Sequence, residues 1–221
     1  ERLRVGPLVL NNEFHHPALL ARTAATFDRL TGGRLVLGLG TGYAEAEHDW
    51  IGSPIRPPGP RVARFGESLA IVRSLLDTGS VGYDGEHESV HLDTLGVRPV
   101  QAHVPFLIGG HGRRVVGLGG RYADIFQFTG LTENEDGTPS AGGFALDQVS
   151  ERSTWLSDAA GDRDAEIERS ALVQFTSVGP DAPPASELAE RFKLPEDVVA
   201  HTPFAVFGPL EQVVDKLERL R

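Results

Sequence analysis

Short apolar runs alternate with longer amphipathic segments along this chain, and the alternation predicts parallel strands joined by helices. A first strand is expected at residues 3–10. A second is expected at 35–39, where Leu-Val-Leu-Gly-Leu is apolar throughout, as in a strand covered on both faces. Three more strands are predicted at 104–108, 123–128 and 170–178. The pattern indicates a single α/β domain, with no internal repeat and no second domain boundary.

Proline and glycine mark the boundaries of the predicted helices and turns. Pro17 suits the first position of a helix, where its missing N–H costs nothing, and Gly32 suits the end of that helix. The positions predicted to form its buried face are Leu20, Ala24, Phe27 and Leu30. Asp84-Gly85, between two short apolar runs, predicts a β-hairpin, and the polar stretch 131–143 predicts a loop.

The composition of the chain argues against several classes of function. The net charge of −10 over 221 residues argues against a nucleic-acid partner, and no apolar run reaches the roughly 18 residues that a membrane span needs. Cysteine is absent, which fits a cytoplasmic protein, and the eight histidines lack metal-ligand spacing, so no metal site is expected. Methionine is also absent, so we expect the sequence to be a piece of a longer chain.

A glycine-rich segment, Gly-Leu-Gly-Thr-Gly-Tyr at 38–43, follows the predicted second strand. Glycines at the end of a parallel strand let backbone approach a ligand closely, but the spacing is not that of the dinucleotide fingerprint. The segment supplies four candidate cofactor-binding residues: Gly40, Thr41, Gly42 and Tyr43.

A second glycine-rich segment follows the strand at 104–108 and leads into a helix. Successive backbone N–H groups at such a turn bind anions, and cations at a helix N-terminus are unfavourable unless an anion is present. The arginines at 113 and 114 therefore point to a phosphate; a plain turn with solvated arginines is the alternative. The candidate residues are Gly109, Gly110, His111, Gly112 and Arg113.

Taken together, four blocks of this sequence resemble the luciferase-like monooxygenase superfamily, particularly its coenzyme F420-dependent oxidoreductases. The blocks are His-Pro and the helix to Gly-Arg-Leu at 16–35, Leu-Gly-Leu-Gly-Thr-Gly-Tyr at 37–43, Val-Pro to Ala-Asp at 104–124, and Phe-Gly-Pro-Leu-Glu-Gln-Val at 207–213. Each block alone is a weak match to the family, and the order and spacing of the four blocks carry the resemblance.

The resemblance implies a (β/α)8 TIM barrel, of which this chain is expected to hold strands 3 to 7, truncated at both ends. An open five-stranded doubly wound sheet is the alternative that the pattern leaves. The resemblance also implies that Leu8 and Val9 lie beside the cofactor ring, because F420-dependent members often have a non-proline cis peptide there. It does not identify catalytic residues, and Tyr43 stands where sugar-phosphate dehydrogenases of the group carry a catalytic Glu.

The function that we expect is hydride transfer between F420 and a small organic substrate. An FMN-dependent monooxygenase and a non-catalytic barrel that binds a flavin or deazaflavin are the alternatives. The family also implies a homodimer. All of these hypotheses require Gly40–Tyr43 and Gly110–Arg113 to lie on the same rim of the fold, since otherwise the two segments could not share a ligand.

Overall fold

The computed structural model describes residues 3–130, 132–133, 139–140 and 142–220. Its strands are Leu10–Asn11 (β1), Leu37–Gly40 (β2), Val81–Asp84 (β3), Ser89–Leu92 (β4), Phe106–Gly110 (β5), Ile125–Phe128 (β6), Thr132–Glu133 (β7), Pro139–Ser140 (β8), Glu168–Ala171 (β9), Phe175–Val178 (β10) and Ala205–Gly208 (β11). Its α-helices are Pro17–Thr31 (α1), Glu45–Trp50 (α2), Pro58–Thr78 (α3), Arg113–Tyr122 (α4), Leu146–Ala160 (α5), Ala185–Phe192 (α6), Glu196–His201 (α7) and Leu210–Leu220 (α8).

Five parallel strands form the main sheet in the order β1-β2-β5-β6-β9, with helices in the connections. After β9 the chain changes partners, and β10 pairs in parallel with β11 in a separate two-stranded sheet. The predicted parallel α/β architecture is confirmed, although the described strands do not close into a barrel.

Three strand predictions need correction. The predicted strand at 3–10 is an isolated bridge between Val5 and Leu35 followed by the two-residue strand β1. The predicted strand at 170–178 is two strands, because the chain leaves β6 at Leu172 and bonds to the Phe204 carbonyl from Gln174 onward. The sequence pattern also missed β11, whose apolar run of four residues is too short to be distinguished from a loop between two prolines. The described residues therefore contain two more parallel strands than the five predicted.

Helix α1 begins and ends where the sequence predicted. The His16 side chain accepts a hydrogen bond from the Ala18 N–H, and Gly32 ends the helix in the left-handed region at φ 68°. The predicted buried face was wrong at two positions, since Phe27 is 54% exposed and Leu30 is 78% exposed. The buried residues are Pro17, Leu20, Ala21, Ala24, Ala25 and Asp28, mostly small side chains that allow close packing.

The predicted hairpin is confirmed as β3 and β4, paired antiparallel. The Glu67 carboxylate of α3 accepts the backbone N–H groups of Glu86, His87 and Glu88, which fixes the turn of the hairpin. Burial alone would raise the pKa of Glu67, but these three donors lower it below its ordinary value. The predicted loop at 131–143 needs correction, because Thr132–Glu133 and Pro139–Ser140 pair antiparallel as β7 and β8. Residues 131, 134–138 and 141 lie outside the described residues.

The main sheet is strongly curved. Arg4, beside the first strand, forms a 3.5 Å ion pair with Glu168 of β9, although β1 and β9 are the two edges of the sheet. In a flat sheet these edges would lie about 19 Å apart, at about 4.8 Å per strand. Curvature brings the edges together over the face that the helices do not cover. Within the part of the chain that the structure describes, no helix is both long and apolar enough to cross a membrane.

Candidate functional site

The two glycine-rich segments leave the sheet at the same edge. Strand β2 lies between β1 and β5, with Asn11 opposite Gly40 and Leu39 opposite Ile108. Because these strands are parallel, their carboxyl ends meet at one rim. The segment after Gly40 and the turn after Gly110 are therefore neighbours, as a shared ligand requires.

The sheet has one packed face and one inner face. Leu39, Ile108 and Phe126 are each at most 1% exposed and belong to the core under the helices. Side chains alternate along a strand, so the intervening residues face the other way. We call this set the inner face; its members on β2, β5 and β6 are Gly38, Gly40, Leu107, Gly109, Ile125 and Gln127.

Val9 lies on the inner face, over the glycines of β2. A Cβ atom at Gly40 would lie 2.8 Å from a Val9 methyl carbon, and one at Gly109 would lie 3.9 Å from another. The Leu8–Val9 peptide bond is cis, at the position that the resemblance implied. Both side chains are accessible, since Leu8 is 59% exposed and Val9 is 39% exposed. The structure therefore places Val9 at the same rim as both glycine-rich segments.

The segment after β2 is held by the buried side chain of His48. Gly42 has φ 76°, and a Cβ atom there would lie 2.1 Å from Asn11 Oδ1, so a larger residue does not fit. Asn11 Nδ2 lies 3.2 Å from Nε2 of the buried His48, and His48 Nδ1 lies 3.0 Å from the Ser53 carbonyl oxygen. His48 thus joins the rim to the loop after α2.

A buried ionic cluster supports the end of β1. Arg64 of α3 pairs with Glu13 at 3.1 Å and with Glu88 at 2.7 Å, and donates to the carbonyl oxygens of Asn12 and His15. We call Arg64, Glu13 and Glu88 the rim cluster. Burial and, second, the Arg64 charge lower the pKa of His15. The cluster fixes where the chain turns from the rim into α1.

The turn before α4 has the open geometry of an anion site. Gly112 is the N-cap of α4 at φ −76° and ψ 143°, no side chain among the described residues caps the helix, and nothing lies within 4 Å of the position of a Cβ atom. The two arginines have other contacts. The Arg113 guanidinium lies 5.6 Å from the centre of the Trp155 ring, and Arg114 donates to the Gly59 carbonyl at 3.4 Å. Their presence is therefore weaker evidence for a phosphate than the open glycine N-cap.

Two large aromatic side chains after β2, Tyr43 beside Gly42 and Trp50 at the end of α2, do not pack into the core. Tyr43 is 76% exposed and Trp50 is 81% exposed.

Asp124, in contrast, lies at the start of β6, at the opposite edge. Its carboxylate accepts the Phe106 N–H and pairs with Arg73. Asp124 thus stabilises the sheet and is not part of the rim.

Sequence reasoning missed Asn11 and Gln127 at the rim. The signal for Gln127 is a single polar residue in the otherwise apolar strand Ile-Phe-Gln-Phe.

A cavity of about 410 Å³ between β11, α6 and α8 contains none of the predicted site residues. No cluster of three or more His, Asp or Glu side chains in the described residues could hold a metal ion.

The comparisons with known proteins agree with this geometry. Residues 1–141 match the family model described as luciferase-like monooxygenase. The chain is 34% identical over 128 residues to a phthiodiolone/phenolphthiodiolone dimycocerosates ketoreductase of Mycobacterium sp. (strain JLS), covering 57% of this chain and 33% of that protein. It is 28% identical over 218 residues to an F420-dependent glucose-6-phosphate dehydrogenase of Kineococcus radiotolerans, covering 95% of this chain and 59% of that protein.

Among solved structures, the coenzyme F420-dependent tetrahydromethanopterin reductase from Methanopyrus kandleri shares the fold. It aligns with a TM-score of 0.73 and 19% identity, over 98% of this chain and 74% of that one. The chain thus spans only part of the relatives that it matches. The family model covers well over half of this chain, and we conclude that the chain belongs to the luciferase-like monooxygenase family.

Proposed function

We propose that this protein is an F420-dependent oxidoreductase that transfers a hydride between the deazaflavin and a small organic substrate. One observation carries the proposal. Val9, the segment after Gly40 and the open turn at Gly112 lie on the same rim. The names of the relatives support F420 over other cofactors, since a dehydrogenase and a reductase among them are both F420-dependent.

The residues at the rim fit such a cofactor. The open N-cap at Gly112 leaves room for a phosphate to approach the first N–H groups of α4, where the helix dipole favours negative charge. Gly110, His111 and Arg113 flank this turn. Val9 and Leu8 present an apolar surface on which a flat ring can lie, and Gly40, Thr41 and Gly42 border it.

When bound, the deazaflavin supplies the carbon that gives or accepts the hydride. The protein's own contribution is to hold the ring against Val9 and to exclude water from its exposed side. Tyr43 is suited to the second task, because it is large, exposed and part of the segment that follows β2.

The substrate is proposed to be a small alcohol or carbonyl compound, since the relatives include a ketoreductase and a dehydrogenase. The resemblance implied that sugar-phosphate oxidation needs a carboxylate at the position of Tyr43. We therefore expect glucose 6-phosphate to be a poor substrate.

An FMN-dependent monooxygenase is the second candidate, and the description of the matching family model favours it. The same turn at Gly112 would hold an FMN phosphate. Titration of the purified protein with oxidised F420 and with FMN, followed by absorbance and fluorescence, distinguishes the two. Micromolar binding of F420 with at least tenfold weaker binding of FMN is the expected result.

Turnover is tested separately with reduced F420 and a panel of ketones, enones and glucose 6-phosphate. Oxidation of reduced F420 that depends on a carbonyl substrate supports the oxidoreductase. Tight binding of F420 without turnover on any member would favour a non-catalytic binding protein. Preference for FMN, with oxygen consumption, would overturn the proposal.

We also propose that the protein forms a homodimer. Helix α8 carries an outward apolar stripe, in which Leu210 is 64% exposed, Val214 is 43% exposed and Leu217 is 49% exposed. Burying this stripe against a second copy would remove apolar surface from water. Light scattering should give the mass of a dimer for the unaltered protein and of a monomer for Val214→Glu; a monomer in both would contradict this.

A further inference from the structure

The carboxamide of Gln127 is a buried polar group that the proposed function does not yet use. Gln127 is 7% exposed, in the middle of the apolar strand β6. Its oxygen and nitrogen are not among the fully enclosed side-chain atoms without a partner in the described residues, so the amide borders open space. A polar group in such a position can bond to water when the site is empty and to a ligand when the site is filled.

The strand register shows where this carboxamide lies. Gln127 pairs with Gly109 on one side and with Ser170 on the other. Its neighbours Phe126 and Phe128 belong to the core under the helices. Because side chains alternate along a strand, the Gln127 side chain faces away from the helices. It therefore borders the inner face near the carboxyl ends of the strands.

The adjacent part of the inner face is open to a ligand. Gly109, next to Gln127 in the sheet, has no side chain, and its nearest inner-face neighbour is a Val9 methyl carbon 3.9 Å from the position of a Cβ atom. Val9 itself covers the glycines of β2. A flat ring lying against Val9 would extend over Gly109, and its edge would reach the strand that carries Gln127.

From this arrangement we infer that the Gln127 carboxamide hydrogen bonds to the pyrimidinedione edge of the bound deazaflavin ring. That edge alternates carbonyl oxygens with an N–H group. A carboxamide carries one acceptor oxygen and an NH2 donor side by side, so it can pair with a carbonyl and the N–H next to it. This inference rests on the proposed function, because it names a contact of the same cofactor.

One substitution tests the inference, because it should weaken cofactor binding without lowering the stability of the cofactor-free protein. Gln127→Leu replaces the amide that borders the inner face with an apolar side chain of similar size. The thermal midpoint of the cofactor-free variant should be unchanged or higher. Its Kd for oxidised F420 should rise about tenfold, as expected for the loss of one to two hydrogen bonds. The absorbance shift of the ring on binding should also become smaller.

Two comparisons make the test specific to the ring. Ile125→Val, one layer further from the rim on the same strand, should leave the Kd unchanged. The phosphate-free deazaflavin riboside should show the same fold-change with Gln127→Leu as F420 does, since both carry the ring.

The outcomes separate the two proposals. If the unaltered protein binds neither F420 nor the riboside, the proposed function is overturned, and this inference with it. If the unaltered protein binds F420 but Gln127→Leu binds it equally well with the same absorbance shift, the contact with Gln127 alone is overturned. A drop in the thermal midpoint of the cofactor-free variant would also overturn it, because it would show that the amide has a structural partner.

Discussion

Replacing Gly112 with valine should weaken cofactor binding without unfolding the protein. Gly112 has φ −76° and ψ 143°, which is ordinary extended backbone that valine adopts readily, and nothing lies within 4 Å of its Cβ position. The cost to stability should therefore be no more than about 1 kcal/mol, the usual penalty for a poor N-cap residue.

The effect on binding follows from the position of the new side chain. A branched side chain on the N-cap would cover the first N–H groups of α4, to which the phosphate is proposed to bond. Each hydrogen bond to a charged group contributes about 1.5–3 kcal/mol. Losing one of them should raise the Kd for F420 by about tenfold to a hundredfold, at about 1.4 kcal/mol per tenfold.

Helix α4 offers a matched control. Gly117 also has nothing within 4 Å of its Cβ position, but it lies in the middle of the helix. Gly117→Val should therefore bind F420 like the unaltered protein. The assay is fluorescence titration of both variants with F420 and with the phosphate-free riboside.

Only F420 should bind Gly112→Val more weakly, because the riboside has no phosphate to lose. An unchanged Kd for F420 in Gly112→Val, with the thermal midpoint retained, would refute the assignment of this turn to the phosphate. An equal loss of affinity for the riboside would place the ring, and not the phosphate, at this turn.

Three further predictions concern stability. Arg64→Met leaves the buried Glu88 carboxylate without the cation that pairs with it, while Glu13 keeps its ion pair with Arg56, so urea denaturation should show a loss of about 3–5 kcal/mol; a loss below 1 kcal/mol would contradict this. Burial and, second, the nearby Arg219 charge lower the pKa of Lys216 to about 8 from 10.5. The unfolded chain thus binds more protons between these pH values, and stability should rise by up to about 3 kcal/mol as the pH increases from 8 to 10.5. Lys216→Met should abolish this rise. Gly42→Ala should destabilise the protein more than Gly32→Ala, because both positions have positive φ but only the first meets another side chain; equal losses would contradict the account.

Much of the fold could be predicted from the sequence because local chemistry and tertiary packing agree. Pro17 and Gly32 bound α1 in the structure as they do in the pattern. The all-apolar strand at 35–39 is buried on both faces, as parallel strands usually are. The shared rim of the two glycine-rich segments followed from placing each one after a parallel strand.

The errors arose where tertiary contacts override the local pattern. Phe27 and Leu30 fit an apolar helical face, yet the helix packs through its alanines, which allow a closer approach. Strand β11 is defined by pairing with β10 rather than by its own length. Gln127 could not be assigned from the sequence, since its place on the inner face depends on the pairing of β6 with β5 and β9.

The most direct test of the central claim is amide hydrogen exchange of the protein with and without F420. The account predicts slower exchange on binding in two separate segments at once, at 41–43 after β2 and at 112–115 at the start of α4, because one ligand contacts both. Protection of only one segment, or protection confined to the cavity between β11, α6 and α8, would contradict the shared site.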